Sequence, residues 1–214
     1  MNPRIRVLLV DDHSVVRAGY RMLLSQASVI DRIFEADGGE RACQVYAENR
    51  PDLVVMDLSM PGIGGLSAIR RIASRDPDAR ILVFSIHEEP VYVAKALEAG
   101  AQGYITKRSA PDIMIEAVIK IAQGEFYIEK SLQYGKHPKE PAESFHELVE
   151  GLSGREFDVF LALAKGRTTR EIADQLCLSY KTVANYATAI KSKLNVNTSA
   201  ELAQIAYALN LLPR

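Results

Sequence analysis

Five polar side chains able to do chemistry each stand at the end of a short apolar run. Asp11 and Asp12 follow Ile5–Val10, Asp57 follows Leu53–Met56, Ser85 follows Ile81–Phe84, and Lys107 follows Gly103–Thr106. If those runs are parallel strands, all five emerge at the carboxyl edge of one sheet, where sites form in open α/β folds. Three carboxylates there repel one another unless protonation or a hard divalent cation intervenes, and Mg²⁺ takes carboxylate and water oxygens readily. A lone Asp-Asp pair after a strand would serve equally well as a helix cap. The whole set, each member in register with a strand end, is not explained that way. Asp57 differs from the other two acids because it ends a central strand and can present an oxygen in line to an electrophile.

A second concentration lies in 179–194. Val183, Ala187, Ile190 and Leu194 recur at helical spacing and predict a core-facing stripe, with Tyr186 at its edge. The opposite face carries Lys181, Ala184, Asn185, Thr188, Lys191 and Ser192, and 179–194 contains no acid. Phosphates would repel carboxylates, so an acid-free face suits nucleic acid. An ordinary solvated bundle face fits the same pattern.

The elements that must position these residues follow from periodicity. Over 1–124, short apolar runs alternate with amphipathic stretches, the runs being Ile5–Val10, Asp31–Glu35, Leu53–Met56, Ile81–Phe84 and Gly103–Thr106. Three of the intervening helical patterns are Val15-Val16-Ala18-Gly19-Met22-Leu23, Val91-Ala94-Leu97-Ala101 and Ile113-Ile115-Ala117-Val118-Ile121. Five β–α alternations predict a doubly wound five-stranded parallel sheet with helices on both sides. Residues 125–151 break the pattern: they hold Gly135, Pro138 and Pro141, and Lys136-His137-Pro138-Lys139-Glu140-Pro141 is almost devoid of apolar residues, so the segment is read as a linker with a short helix around Phe145–Val149. Residues 152–214 predict a smaller, all-helical domain of four helices. Ser153-x-x-Glu156 and Thr168-x-x-Glu171 are capping boxes, and Ser179 and Ser199 are candidate caps for the third and fourth helices. Thr168–Leu176, the turn at 177–178 and Ser179–Leu194 have the layout of a helix-turn-helix.

Composition narrows the classes further. The 214 residues are 48% hydrophobic and 25% charged with a net charge of −1, which excludes disordered, collagenous and coiled-coil chains. The net charge is uneven: −1 over 1–124, −3 over 125–151 and +3 over 152–214. A basic tail is compatible with an anionic partner. No apolar run approaches the ~20 residues of a membrane span, and Asp11 and Asp12 end the first run too early for a signal peptide. Two distant cysteines, Cys43 and Cys177, predict neither a disulfide framework nor a thiolate metal site and point to the cytoplasm.

Residues 4–123, through Val10-Asp11-Asp12, Asp57, Pro61-Gly62, Ser85 and Tyr104-Ile105-Thr106-Lys107, resemble the receiver domains of two-component response regulators. That resemblance implies a flavodoxin-like fold with Asp57 as phosphoacceptor. It also implies Mg²⁺ held by Asp12, Asp57 and the Ser59 carbonyl, with Asp11 acting through water. Ser85 and Lys107 would grip the phosphoryl oxygens, and Tyr104 would be an aromatic switch, a side chain that on its own could equally be filling a strand end. Two residues depart from the pattern: Ile86, where receivers are often small, so that its bulk would shield the phosphoryl site, and Arg108, where many carry proline after a cis peptide. Residues 152–207, through Leu152-Ser153-x-Arg155-Glu156, Glu171-Ile172-Ala173, Ser179-x-Lys181-Thr182-Val183 and Lys193-Leu194, are similar to LuxR-type DNA-binding domains. By that match Lys181 and Thr182 contact phosphates while Ala184, Asn185 and Thr188 face base edges; Lys191 would also hold phosphate. Ala184 and Tyr186 stand where Lys and His are frequent.

Together the halves resemble the NarL/FixJ class. That implies a non-enzymatic, cytoplasmic transcription regulator phosphorylated by a sensor histidine kinase and binding double-stranded DNA. A single recognition helix reads few base pairs, so a homodimer is expected on phosphorylation. Two other readings fit parts of the pattern. An Mg²⁺-dependent aspartyl phosphatase would want a second acid two residues after its nucleophile, where Ser59 sits. A phosphorylation-independent scaffold would not need the complete set of five polar residues.

Overall fold

The computed structural model describes residues 4–133 and 142–212, in two compact units: one comprises 4–88 and 96–133, the other 89–95 and 142–212. The first contains β1 (Ile5–Val10), α1 (Ser14–Ser25), β2 (Ile30–Ala36), α2 (Gly39–Asn49), β3 (Leu53–Met56), α3 (Gly64–Arg75) and β4 (Ile81–Ser85). After α4 (Pro90–Glu98) come β5 (Gly103–Thr106), α5 (Pro111–Ala122), β6 (Tyr127–Ile128) and the single turn α6 (Lys130–Gln133). The strands form one parallel sheet in the order β2-β1-β3-β4-β5-β6. β3 and β4 are buried at every residue, which explains their unbroken apolar runs. β2 lies at an edge, so its Asp31 and Arg32 reach solvent.

The sheet has six strands where five were expected. Glu125 to Gln133, expected as the start of the linker, instead continues the sheet: Tyr127 N–H donates to the Gln102 carbonyl at 3.1 Å and Glu129 N–H to the Tyr104 carbonyl at 3.0 Å. The open edge of β5 supplies the partners, and the short run Phe126-Tyr127-Ile128 supplies strand-favouring side chains. Gly135, Pro138 and Pro141 of the linker reading lie outside the described residues. The short helix expected around Phe145–Val149 is α7 (Ala142–Glu150).

The core follows the sheet faces, with Val7, Leu9, Val55, Leu82 and Ile105 packed against Met114, Ala117, Val118 and Ile121 of α5. On α1 the apolar pattern is only partly buried: Val15 is 83% and Met22 65% exposed. At the start of α3 the chain passes so close to the end of β3 that a Cβ on Gly65 would overlap the Asp57 carbonyl. Glycine there lets the helix begin directly beneath the pocket.

The second unit contains α7, α8 (Gly154–Ala164), α9 (Thr169–Leu176), α10 (Tyr180–Lys193) and α11 (Ser199–Ala208). Both predicted capping boxes form, at Ser153/Glu156 and Thr168/Glu171, and Ser179 caps α10 by accepting from Thr182 N–H. The cap of α11 is Thr198 rather than Ser199, because Glu201 completes a box three residues after Thr198. Cys177 takes the left-handed conformation (φ 55°) that ends α9 and turns the chain into α10. Phe157, Phe160, Ile172, Val183, Ile190, Leu194 and Leu202 form the buried interior of this unit, so the predicted stripe of α10 faces it.

Candidate functional site

β1 and β3 are neighbours, and the chain leaves β1 toward β2 on one side and β3 toward β4 on the other. The crevice beyond their carboxyl ends is the switch point where α/β sheets bind ligands. Asp11 and Asp57 leave the two strands there, and both are buried. Lys107, after β5, reaches across to donate to Asp11 Oδ2 at 2.6 Å and Asp57 Oδ2 at 2.8 Å. Ser59 N–H donates to the other Asp57 oxygen, Oδ1, at 3.2 Å. Burial pushes the Asp57 carboxyl above its ordinary range, and the opposing pull of Lys107 and the Ser59 amide does not cancel it. Burial pulls the Lys107 ammonium down, but its bonds to Asp11 and Asp57 outweigh that and leave it raised. Lysine at this point stays charged.

The acidic cluster fits a hard cation. Oxygens of Asp11, Asp12 and Asp57, together with a ring nitrogen of His13, lie within 4.8 Å of one another. Asp12 Oδ1 is buried and accepts no hydrogen bond among the described residues, although His13 Nδ1 stands 2.9 Å away. A buried carboxylate oxygen without a donor is costly, and a divalent ion with oxygen ligands removes the cost. His13 was not anticipated: it adjoins the Asp pair, and nothing in its spacing marks it as part of the cluster.

The remaining pocket residues meet at His87, also unanticipated. Its N–H donates to Ser85 Oγ at 3.3 Å, and its carbonyl accepts from the Tyr104 hydroxyl at 2.9 Å. Tyr104 is fully buried. Ile86 is instead 61% exposed, so it encloses little of the pocket. The Lys107–Arg108 peptide is trans, as are all the described peptide bonds.

On α10, Lys181, Asn185 and Thr188 are exposed, and Thr182, Ala184 and Lys191 are half-buried. The Thr188 hydroxyl donates back to the Ala184 carbonyl at 3.0 Å, which leaves chiefly its methyl for an outside partner. Tyr180, at the first turn of the same helix, is a large exposed aromatic that the sequence pattern did not single out.

A parallel α/β unit with this carboxylate–lysine pocket, followed by a helix-turn-helix unit, defines a response regulator, and the chain belongs to that family, in the NarL/FixJ class. Residues 7–119 match the family "Response regulator receiver domain", and residues 150–211 match "Bacterial regulatory proteins, luxR family". The chain is 44% identical over 208 residues to the transcriptional activator protein ExaE of Pseudomonas putida, covering 96% of this chain and 97% of the relative. It is 41% identical over 204 residues to the response regulator UvrY of Escherichia coli K12, covering 94% and 93%. Among solved structures, a LuxR-family two-component response regulator from Aurantimonas sp. SI85-9A1 matches with 41% identity and a TM-score of 0.59, covering 61% of this chain and 93% of that one. The protein is a phosphorylation-controlled, DNA-binding transcription regulator. Among the described residues no helix is long and apolar enough to cross a membrane.

Proposed function

We propose that Asp57 is the phosphoacceptor, with a sensor histidine kinase as donor, and that its modification controls binding of α10 to double-stranded DNA. The observation that carries this reading is the buried Asp57 carboxylate at the end of a central strand, sharing Lys107 with Asp11. An Asp57 oxygen attacks phosphorus, the bond from phosphorus to the donor nitrogen breaks, and the donor imidazole keeps the electron pair. Such a transfer asks for positioning and charge neutralisation rather than covalent help from the protein. Lys107 supplies one positive charge, and Ser85 can donate its hydroxyl to a phosphoryl oxygen. Asp11, Asp12, Asp57 and the Ser59 carbonyl would hold Mg²⁺, which supplies further neutralisation of the equatorial oxygens when bound. Tyr104 follows the state of Ser85 through the His87 backbone that both of them contact.

In the DNA-bound state Lys181, Thr182 and Lys191 would contact phosphates, while Ala184, Asn185 and Thr188 would meet base edges. Two protomers on paired half-sites supply the affinity that one helix lacks, so phosphorylation favours a homodimer. The chain works in the cytoplasm as the recipient of a phosphoryl group rather than as an enzyme. Ser59 supports that, because an aspartyl phosphatase would place an acid there. The test is intact-mass analysis after incubation with acetyl phosphate and Mg²⁺. The wild-type chain should gain one phosphoryl group and Asp57→Asn none. Uptake by Asp57→Asn at the wild-type level would overturn the assignment, and steady release of phosphate without a stable adduct would favour the phosphatase.

A further inference from the structure

Lys107 is only as well placed as the turn that carries it, 106–110 between β5 and α5. Ala110 at the N-cap of α5 offers no side-chain acceptor, and the Arg108–Glu88 pair at 3.4 Å is solvent-exposed and screened. Toward β4 the turn is anchored by Lys107 N–H, which donates to the Ser85 carbonyl at 2.8 Å. On the opposite side the anchor is a carboxylate. β6 pairs with β5 through Tyr127 N–H on the Gln102 carbonyl and Glu129 N–H on the Tyr104 carbonyl. The next donor along β5, Thr106 N–H, is taken by Glu129 Oε2 at 2.9 Å. A side-chain oxygen thus stands where a backbone carbonyl would continue the ladder. The same oxygen accepts the Ser109 hydroxyl, from the far end of the turn. Within that span Ser109 N–H donates to the Thr106 carbonyl at 3.1 Å and Arg108 N–H to Thr106 Oγ1 at 3.2 Å. Hydrogen bonds to a carboxylate are the stronger kind, and Glu129 is half-buried, so water competes less for them.

We propose that Glu129 is a positioning residue for phosphoryl transfer: from the segment that follows β6 it clamps both ends of the Lys107 turn and so fixes where the ammonium meets the incoming phosphoryl group. The inference rests on Asp57 being the phosphoacceptor. Lys107 Nζ reaches Asp11 at 2.6 Å and Asp57 at 2.8 Å, and must then meet a phosphoryl oxygen beside them. Its four-carbon stem is flexible, so a fixed backbone is what narrows the positions open to the charge. With acetyl phosphate, an Asp57 oxygen bonds to phosphorus while the bond from phosphorus to the acetate oxygen breaks, and acetate leaves with the electron pair. The charge of Lys107 lowers that barrier only where it already faces the oxygens of the transferring group. Glu129 touches neither donor nor acceptor and acts through the lysine.

The test uses the full chain with acetyl phosphate and Mg²⁺, the rate of adduct formation being followed by intact mass. Glu129→Ala should slow uptake by about tenfold, within the loss that a small misplacement of a charged group produces. Ser109→Ala removes one of the two donors and leaves Thr106 N–H in place, so it should slow uptake by about two- to threefold. Glu129→Gln keeps a carbonyl oxygen able to accept both bonds and should return to within about twofold of wild type. In a Lys107→Ala background, Glu129→Ala should bring no further slowing, whereas a general loosening of the sheet edge would slow both backgrounds alike. Uptake by Glu129→Ala at the wild-type rate overturns the positioning role, and so does equal slowing with and without Lys107. If Glu129→Ala does not fold, Ser109→Ala carries the same comparison: slowing confined to the chain that keeps Lys107 supports the role, and no slowing overturns it. A wild-type chain that gains no adduct would instead overturn the assignment of Asp57, so the two failures are distinguishable.

Discussion

Asn185→Ala isolates the readout of bases from the hold on phosphates. Asn185 is exposed near the middle of α10 and its side chain makes no hydrogen bond among the described residues, so its truncation leaves the fold intact. Alanine is also the better helix former, by a few tenths of a kcal/mol. Any loss therefore belongs to binding. An asparagine amide can bond adenine through N6 and N7, and one such pair is worth ~1–3 kcal/mol of discrimination, a factor of roughly 5 to 150 in affinity. Ala184 and the Thr188 methyl, left outward by the bond from the Thr188 hydroxyl to the Ala184 carbonyl, suit thymine methyl groups. The contacted positions should thus favour A·T pairs. Lys181→Ala is the companion perturbation: it should weaken every sequence alike and lower the salt slope by about one. Operators would be selected from a random duplex pool with phosphorylated protein. Both variants would then be titrated on the selected site and on single-substituted sites at several salt concentrations. If Asn185→Ala keeps the wild-type preference at every position, Asn185 is a solvated surface residue and the assignment of bases to this face is wrong.

Three further outcomes follow from the charges. Asp57→Asn should stabilise the unphosphorylated chain at neutral pH, because burial disfavours the Asp57 anion more than Lys107 and Ser59 favour it and Lys107 keeps Asp11 as a partner. Because the folded Asp57 carboxyl is raised by burial, the native state binds the proton more readily, and its contribution falls as pH rises from the ordinary carboxylate range through that raised value. The advantage of the variant in urea midpoint should therefore shrink toward acid pH, and a gap that widens there would contradict the sign. Mg²⁺ should raise the thermal midpoint of the wild-type chain, EDTA should reverse the rise, and Asp12→Asn should lose most of it, since Asp12 Oδ1 is the buried oxygen awaiting a partner. Glu156→Ala should cost ~2 kcal/mol, read as faster amide hydrogen exchange across α8. About half is the lost cap and half the pair with Lys193 at 2.8 Å, discounted because Lys193 is half exposed. Burial works against the Glu156 anion, but Lys193 and Ser153 more than compensate and hold its pKa low, so its stabilisation is present above the ordinary carboxylate range and disappears as pH falls through the depressed value. Protection of α8 that is flat across that window would refute this.

Where burial is two-sided or a cap is built from local spacing, the sequence was legible. β1, β3 and β4 read as strands because both faces are covered, and their ends fixed where Asp11, Asp57 and Ser85 would emerge. Ser153, Thr168 and Ser179 read as caps because a cap is a contact over three residues. Thr198 is marked in the same way by Glu201 three residues on, whereas Ser199, the expected cap, has no acid at that spacing. β6 left only a three-residue mark, Phe126-Tyr127-Ile128, too short to stand out as a strand before Gly135, Pro138 and Pro141, and its pairing depends on the vacant edge of β5. Val15 and Met22 belong to an apolar pattern yet stand in solvent, because hydrophobicity reports a capacity for burial and a helix has room for only one buried stripe. His13 and His87 were missed for a different reason: their roles come from contacts across loops, which no periodicity encodes.

The pocket is left electrostatically unbalanced. Asp11, Asp12 and Asp57 bring three carboxylates together, and Lys107 is the ammonium that bonds two of them. The raised Asp57 carboxyl shows the direction of the imbalance, with burial still exceeding the help that Lys107 and Ser59 provide. A neutral or fully paired cluster would be steadier but would have nothing to gain from a ligand. On the proposed assignment a divalent cation would meet the buried Asp12 oxygen, while a phosphoryl group on Asp57 would convert a disfavoured carboxylate into a mixed anhydride and draw Lys107 and Ser85 toward its own oxygens. Each of those shifts would pull on a bond already made, from Lys107 to Asp11 and from His87 N–H to Ser85 Oγ. Loss of solvation on burial, more than repulsion from Asp11, is what makes the Asp57 carboxylate costly in that pocket.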